Sequence, residues 1–186
     1  GTSEVDAEFL KDIESWREEL ANNIALRNAD LSVPDLNFAV QATIDRIVFL
    51  RIAEGRGAEE YGRLQALLNG PGIYPRLVAL YRQADSRYNS GLFDLKADRL
   101  TPELAVDDKV LKAILAQLYY PQSPYEFSVL PAEILGNVYE QFLGRVIRLT
   151  KGHRAVVEAK PEVKKAGGVF YTPADIVGTL VAGTLG

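Results

Sequence analysis

Between residues 35 and 54 the chain is apolar on almost every side of a helical turn, and this stretch limits its architecture most sharply. Leu36, Val40, Ile44, Ile47, Val48, Phe49, Leu50 and Ile52 leave no broad face for water. A helix of this kind belongs in the middle of a bundle. Asp45, Arg46, Arg51 and Glu54 interrupt it, and charges buried there must be paired. Asp45 and Arg46 therefore read as an ion-paired structural feature. Asp30 to Pro34 breaks the chain beforehand, and Ser32 followed by Asp35 is a capping-box-like start. Gly55, Arg56 and Gly57 end the helix, because glycine accepts a left-handed cap at low steric cost.

The neighbours needed to cover that helix can be read on both sides. Phe9, Ile13, Trp16, Leu20 and Ile24 recur at helical spacing and predict an amphipathic helix over residues 5–28. Shorter helices are expected over 59–69 and 75–86, separated by the turn Asn69-Gly70-Pro71-Gly72. Residues 87–94 read as a loop, 107–118 as a helix, and 119–128 as an irregular stretch rich in Pro and Tyr. Tyr88, Phe93, Tyr119, Tyr120 and Tyr125 read as packing and turn residues. From Pro131 a further helix is expected, its buried stripe running through Ile134, Leu135, Val138, Tyr139, Phe142, Val146 and Leu149. Gly136 and Gly144 each cost that helix about 1 kcal/mol relative to Ala, a penalty that close approach by a neighbour would offset. Residues 155–159 allow one short strand, and a last helix starts at Pro173. The expected fold class is mainly all-α, a helical bundle with at most one short strand or hairpin.

Composition narrows the chemistry. The chain has no cysteine and a single histidine, His153, so disulfides, zinc ribbons and thiol nucleophiles are excluded. No metal site is expected, since His153 has no His or Cys partner. No apolar run approaches the roughly 18 residues of a membrane span, and the N-terminus carries no signal-peptide pattern. A cytoplasmic location is the expectation. The leading Gly without Met reads as the start of a piece cut from a longer chain.

The net charge of −4 is unevenly spread. Residues 145–165 hold seven Lys or Arg (Arg145, Arg148, Lys151, Arg154, Lys160, Lys164, Lys165) against Glu158 and Glu162, while residues 1–144 are strongly acidic. A nucleic-acid reader presents a basic surface, and only this stretch could do so. Arg148, Lys151 and Arg154 are the candidate DNA-backbone contacts, with a solvated basic linker as the alternative.

Near the C-terminus, Gly167 and Gly168 permit a tight turn or close approach to a ligand. Thr172, Pro173 and Asp175 then specify a helix start. Such a start offers free N–H groups and partial positive charge to a carboxylate or phosphate, with Phe170 and Tyr171 as an aromatic wall. A well-capped helix after a glycine turn satisfies the same residues.

The run Gly168-Val169-Phe170-Tyr171-Thr172-Pro173 with Ile176-Val177 resembles the first motif of gamma-class amino-methyltransferases, which opens the S-adenosylmethionine pocket. Three more blocks are similar to the fused restriction–modification (type IIG-like) DNA adenine-N6 methyltransferases: Ile44 to Arg51 with Glu54 to Gly57, Tyr88 to Asp94, and Ile134 to Leu143. Phe9-Leu10 and Trp16-Arg17 fit the opening of the same pattern. The resemblance implies a helical connector over residues 1–150, then a basic linker, short strand and start of the methyltransferase domain over 151–186. It implies that the chain stops before the α/β methyltransferase core. Phe170, Tyr171, Thr172 and Pro173 would shape the amino-acid end of the cofactor pocket. In such enzymes a flipped adenine presents N6 to the cofactor methyl, held by an Asn/Asp-Pro-Pro-Tyr/Phe motif. This sequence has no such motif. No catalytic residue, no tight cofactor binding and no methylation are therefore expected of this segment alone. Double-stranded DNA and S-adenosylmethionine would be engaged by a parent protein supplying the core, the target-recognition domain and, where present, a nuclease domain.

Two other readings compete. Val156-Val157-Glu158-Ala159-Lys160 imitates the strand-then-Glu-x-Lys half of a PD-(D/E)xK nuclease, which holds Mg²⁺ on carboxylates. Its only Pro-Asp candidate, Pro34-Asp35, lies at a helix start far upstream. The other is a non-catalytic helical connector or interaction module that fixes neighbouring domains in place.

Overall fold

The structure is a computed structural model and describes residues 4–131 and 133–159. Its elements are α1 (Glu4–Arg27), α2 (Val33–Gly55), α3 (Arg63–Ala66), α4 (Ile73–Asp85), a short 3-10 turn (Thr101–Glu103), α5 (Asp108–Ala116), α6 (Ile134–Leu143), β1 (Arg145–Leu149) and β2 (Ala155–Ala159). It is a mainly helical bundle with one antiparallel hairpin, as the apolar patterning requires.

α2 is the central helix. From Ala42 to Glu54 every residue is buried, the four charged ones included. Ser32 starts it as the N-cap, its side chain accepting from the Asp35 amide at 3.3 Å. Gly57 ends it in the left-handed region at φ 79°. The Gly57 and Ala58 amides donate back to Glu54 and Ala53 at 3.2 and 2.9 Å, which is the Schellman arrangement. Gly55 has another role: a Cβ there would lie 2.7 Å from the Phe127 carbonyl carbon.

α1 buries the expected stripe of Phe9, Ile13, Trp16, Leu20 and Ile24. Phe9 gathers Tyr125 and Phe127 at ring separations of 5.1 and 5.6 Å, so the Pro- and Tyr-rich segment packs against α1 without being regular. Trp16 Nε1 donates to Gln117 Oε1 at 2.9 Å. Carboxylates from other helices cap the starts of α3 and α4. Glu54 accepts from the Gly62 and Leu64 amides, and Asp108 accepts from those of Gly72 and Ile73.

Two expected helices are corrected. Over 59–69 only Arg63–Ala66 is helical, because Gly62 turns left-handed at φ 88° and the Glu54 carboxylate takes the first amides. The helix begun near Pro131 does not reach Leu149. α6 ends at Leu143, and Val146 and Leu149 belong to strand β1. Helical spacing across 142, 146 and 149 was a coincidence of apolar residues that a strand partner ten residues downstream overrides. The strand expected over 155–159 is β2. The last expected helix, from Pro173, lies outside the described residues.

Candidate nucleic-acid interface

β1 and β2 pair antiparallel, with Arg145 opposite Ala159, Ile147 opposite Val157 and Leu149 opposite Ala155. Side chains alternate between the faces of a strand. Ile147, Leu149, Ala155 and Val157 pack on the helical core, so Val146, Arg148, Val156 and Glu158 stand on the outer face. The loop Lys151-Gly152-His153 is a three-residue connection closed by hydrogen bonds from Thr150 N to Arg154 O and from His153 N to Thr150 O, both 2.9 Å. Its last residue must be left-handed, and His153 fills that place at φ 59°. The His153 Nε2 atom lies 3.2 Å from the Asn28 carbonyl oxygen, tying the tip to the corner between α1 and α2.

The helices also hold the hairpin along its edge. Ile147 turns its amide and carbonyl away from β2, and the Asn37 side chain of α2 meets both at 2.9 Å, as a neighbouring strand would. Arg17 of α1 donates to the Arg145 carbonyl at 2.8 Å. Burial pulls the Arg17 guanidinium down to about 10, Glu14 opposing and Arg145 adding to the effect. The hairpin is thus fixed to α1 and α2 by side chains that composition does not single out. Asn37 is one of several polar residues on α2, beside Asp35, Gln41 and Thr43, so no sequence signal distinguished it.

The three candidate DNA contacts lie together on this hairpin but are not equivalent. Lys151 and Arg154 are exposed at the tip and have no acidic partner among the described residues. Arg148 is paired diagonally across the strands, its Nε 3.3 Å from Glu158 Oε2. Arg145 pairs with Glu14 of α1 at 3.2 Å. Phe170, Tyr171, Thr172 and Pro173 lie outside the described residues.

A second polar cluster sits inside the bundle. Arg46 donates to Asp98 at 2.9 Å, to the Leu92 carbonyl at 2.8 Å and to Thr101 Oγ1 at 2.9 Å. Its guanidinium lies over the Tyr81 ring, 5.4 Å from the centroid. Burial alone would raise the Asp98 carboxyl; hydrogen bonds from Thr101 and the Arg46 charge outweigh it and hold the group below the usual carboxylate range. Tyr74 closes the cluster by donating to the Thr101 carbonyl at 2.6 Å. Arg46 and Asp98 are almost wholly enclosed, so this is internal bracing. It joins two of the sequence blocks singled out above, since Phe49 also stacks edge-on against Tyr88 and Phe93.

Arg51 is enclosed likewise by Phe127, Tyr119 and Tyr61 and donates to the Leu118 carbonyl at 2.9 Å. A shallow cleft is lined by Glu54, Glu59, Arg63 and Gln83 among others. Its carboxylates are already engaged, Glu54 by Tyr119 and two amides, Glu59 by Arg87 and Arg63. Among the described residues no group of three or more His, Asp or Glu could hold a metal ion, and no helix is long and apolar enough to cross a membrane.

The chain is 38% identical to the type II restriction enzyme and methyltransferase RM.Eco57I of Escherichia coli over 182 residues, which is 97% of this chain. That identity supports the restriction–modification enzyme family. The chain spans less than a fifth of the relative's length, 18% of it. No protein-family model matches the chain, and no solved structure does. The similarity runs through bundle and hairpin alike, and the basic tip at residues 151–154 lies within the matched stretch.

Proposed function

We propose that this chain is the helical scaffold of a larger restriction–modification enzyme, carrying the first wall of its S-adenosylmethionine pocket and a basic hairpin that touches DNA. The observation that carries this reading is the 38% identity over 97% of the chain to a protein named as a restriction enzyme and methyltransferase. The order of the four sequence blocks supports the finer assignment to adenine-N6 methylation. When bound to the parent, the cofactor supplies the methyl group, and Phe170, Tyr171, Thr172 and Pro173 shape one side of its site. The described residues act by position: α2 with its enclosed Arg46 and Arg51 makes a braced body against which the hairpin is held. This division of labour leaves the isolated segment without methyltransferase activity. Isothermal titration with S-adenosylmethionine is expected to detect no micromolar binding, and micromolar binding by this chain alone would overturn the scaffold reading.

The hairpin's role is electrostatic. Cations that neutralise phosphates release counterions and give affinity that is independent of sequence and falls with salt. Reversing Arg148, Lys151 and Arg154 to Glu is expected to weaken binding of a non-specific duplex, read by fluorescence anisotropy at about 50 mM salt. Unchanged affinity under those conditions removes the hairpin from the DNA interface. The Glu-x-Lys nuclease reading gains nothing from the geometry, since Glu158 is paired with Arg148 on the outer face.

A further inference from the structure

Resting on the hairpin as a DNA contact, we propose that Glu158 is an internal competitor for Arg148 that limits the hairpin to two phosphate contacts, through Lys151 and Arg154. The register places Arg148 opposite Val156 and Glu158 opposite Val146. Both charged side chains therefore stand on the face turned away from the helices, at diagonal positions within reach of long side chains. Their atoms meet at 3.3 Å, and the two are 52% and 46% exposed. Within residues 145–159 Glu158 is the sole acidic residue. The carboxylate thus offers Arg148 the anionic partner that a phosphate would otherwise provide. It also sets a negative charge on the surface that a DNA backbone would approach.

An exposed pair of this kind contributes little to stability, so removing it alters the surface without disturbing the core. Arg145 makes the contrast. Its ion pair with Glu14 belongs to the helix-facing side of β1, and its carbonyl is held by Arg17. Arg145 stands on the opposite face of the hairpin from Arg148, so freeing it adds the same charge away from the proposed contact face.

The test is the salt dependence of duplex binding by the whole chain, measured from about 50 to 200 mM, where each phosphate contact adds roughly 0.9 to the slope of log affinity against log salt. Glu158→Gln is expected to steepen the slope by about 0.9 and tighten binding at low salt. Adding Arg148→Ala to that variant should return the slope to its starting value, and Glu14→Gln should leave it unchanged. If Glu158→Gln leaves the slope where it was while Lys151→Ala and Arg154→Ala flatten it, the competitor is disproved and the hairpin contact stands. An equal steepening by Glu14→Gln would also overturn the proposal, by showing an effect of net charge alone. Should the chain bind no duplex, or should no hairpin variant alter binding, the DNA-contact reading and the proposal fail together.

Discussion

Asp98→Ala is expected to destabilise the fold by about 3–5 kcal/mol, because it leaves a cation inside the bundle without its counter-charge. Arg46 is 2% exposed. Its remaining acceptors, the Leu92 carbonyl and Thr101 Oγ1, are neutral. The same substitution strips the Leu100 and Thr101 amides of the carboxylate that accepts from them. At about 2–4 °C per kcal/mol for a chain of this size, thermal unfolding should move down by roughly 6–20 °C. Replacing both partners, Asp98→Ala with Arg46→Met, should recover much of the loss, since a buried pair exchanged for apolar groups is often close to neutral. An Asp98→Ala chain that melts with the parent would show that the pair is not a brace.

The pH dependence of that pair has a definite sign. The Asp98 carboxyl is held below its usual value, so folding favours the ionised form. Its contribution is fully present above the unfolded carboxylate pKa, about 3.9, and is lost as pH falls through the lower folded value. The loop from Tyr88 to Asp94 and the turn at Thr101 should therefore loosen in acid together with the Arg46 cluster, and not at neutral pH.

Much of the bundle was legible because burial and periodicity agree there. In α1 the apolar stripe is buried as its spacing predicts, although Arg17, expected on the polar side, is buried beside it with Asn23, and in α2 a helix with no polar face had to be central. The hairpin was half legible. Val156 and Val157 marked β2, but Val146 and Leu149 continue the helical spacing of α6, and nothing local shows that β1 pairs with residues beyond a tight turn. That error hid the register, and with it the pairing of Arg148 with Glu158. The clustering of Arg148, Lys151 and Arg154 was visible as charge. Their unequal freedom was not, because it depends on which strand face each occupies. Arg46 was expected to be paired, but its partner Asp98 is 52 positions away in sequence, set by how the Tyr88–Asp94 loop folds back on α2. The candidate pocket residues, Phe170 to Pro173, lie outside the described residues.

The two glycines that close α2 look alike in sequence and should respond to substitution for different reasons. Gly55 is in the last helical turn, where Ala is ordinarily better than Gly by roughly 0.5–1 kcal/mol. Here the added methyl would meet the Phe127 carbonyl carbon at 2.7 Å, its Cβ at 2.8 Å and its oxygen at 2.9 Å. Two of those atoms are backbone and cannot swing aside. Phe127 itself is pinned between Phe9 and Arg51. Overpacking of this kind costs typically about 1–3 kcal/mol, so Gly55→Ala should destabilise the chain despite its helical position. Gly57→Ala meets no atom within 4 Å but must hold φ near 79°, a strain of about 1–2 kcal/mol for a residue with a Cβ. The discriminating measurement is the companion substitution Phe127→Ala. It should make Gly55→Ala less harmful, by removing the side chain that locks the segment, and leave the effect of Gly57→Ala unchanged. If Gly55→Ala raises the melting temperature, the close approach of the 119–128 segment to α2 is wrong, and so is the aromatic enclosure of Arg51 that depends on it.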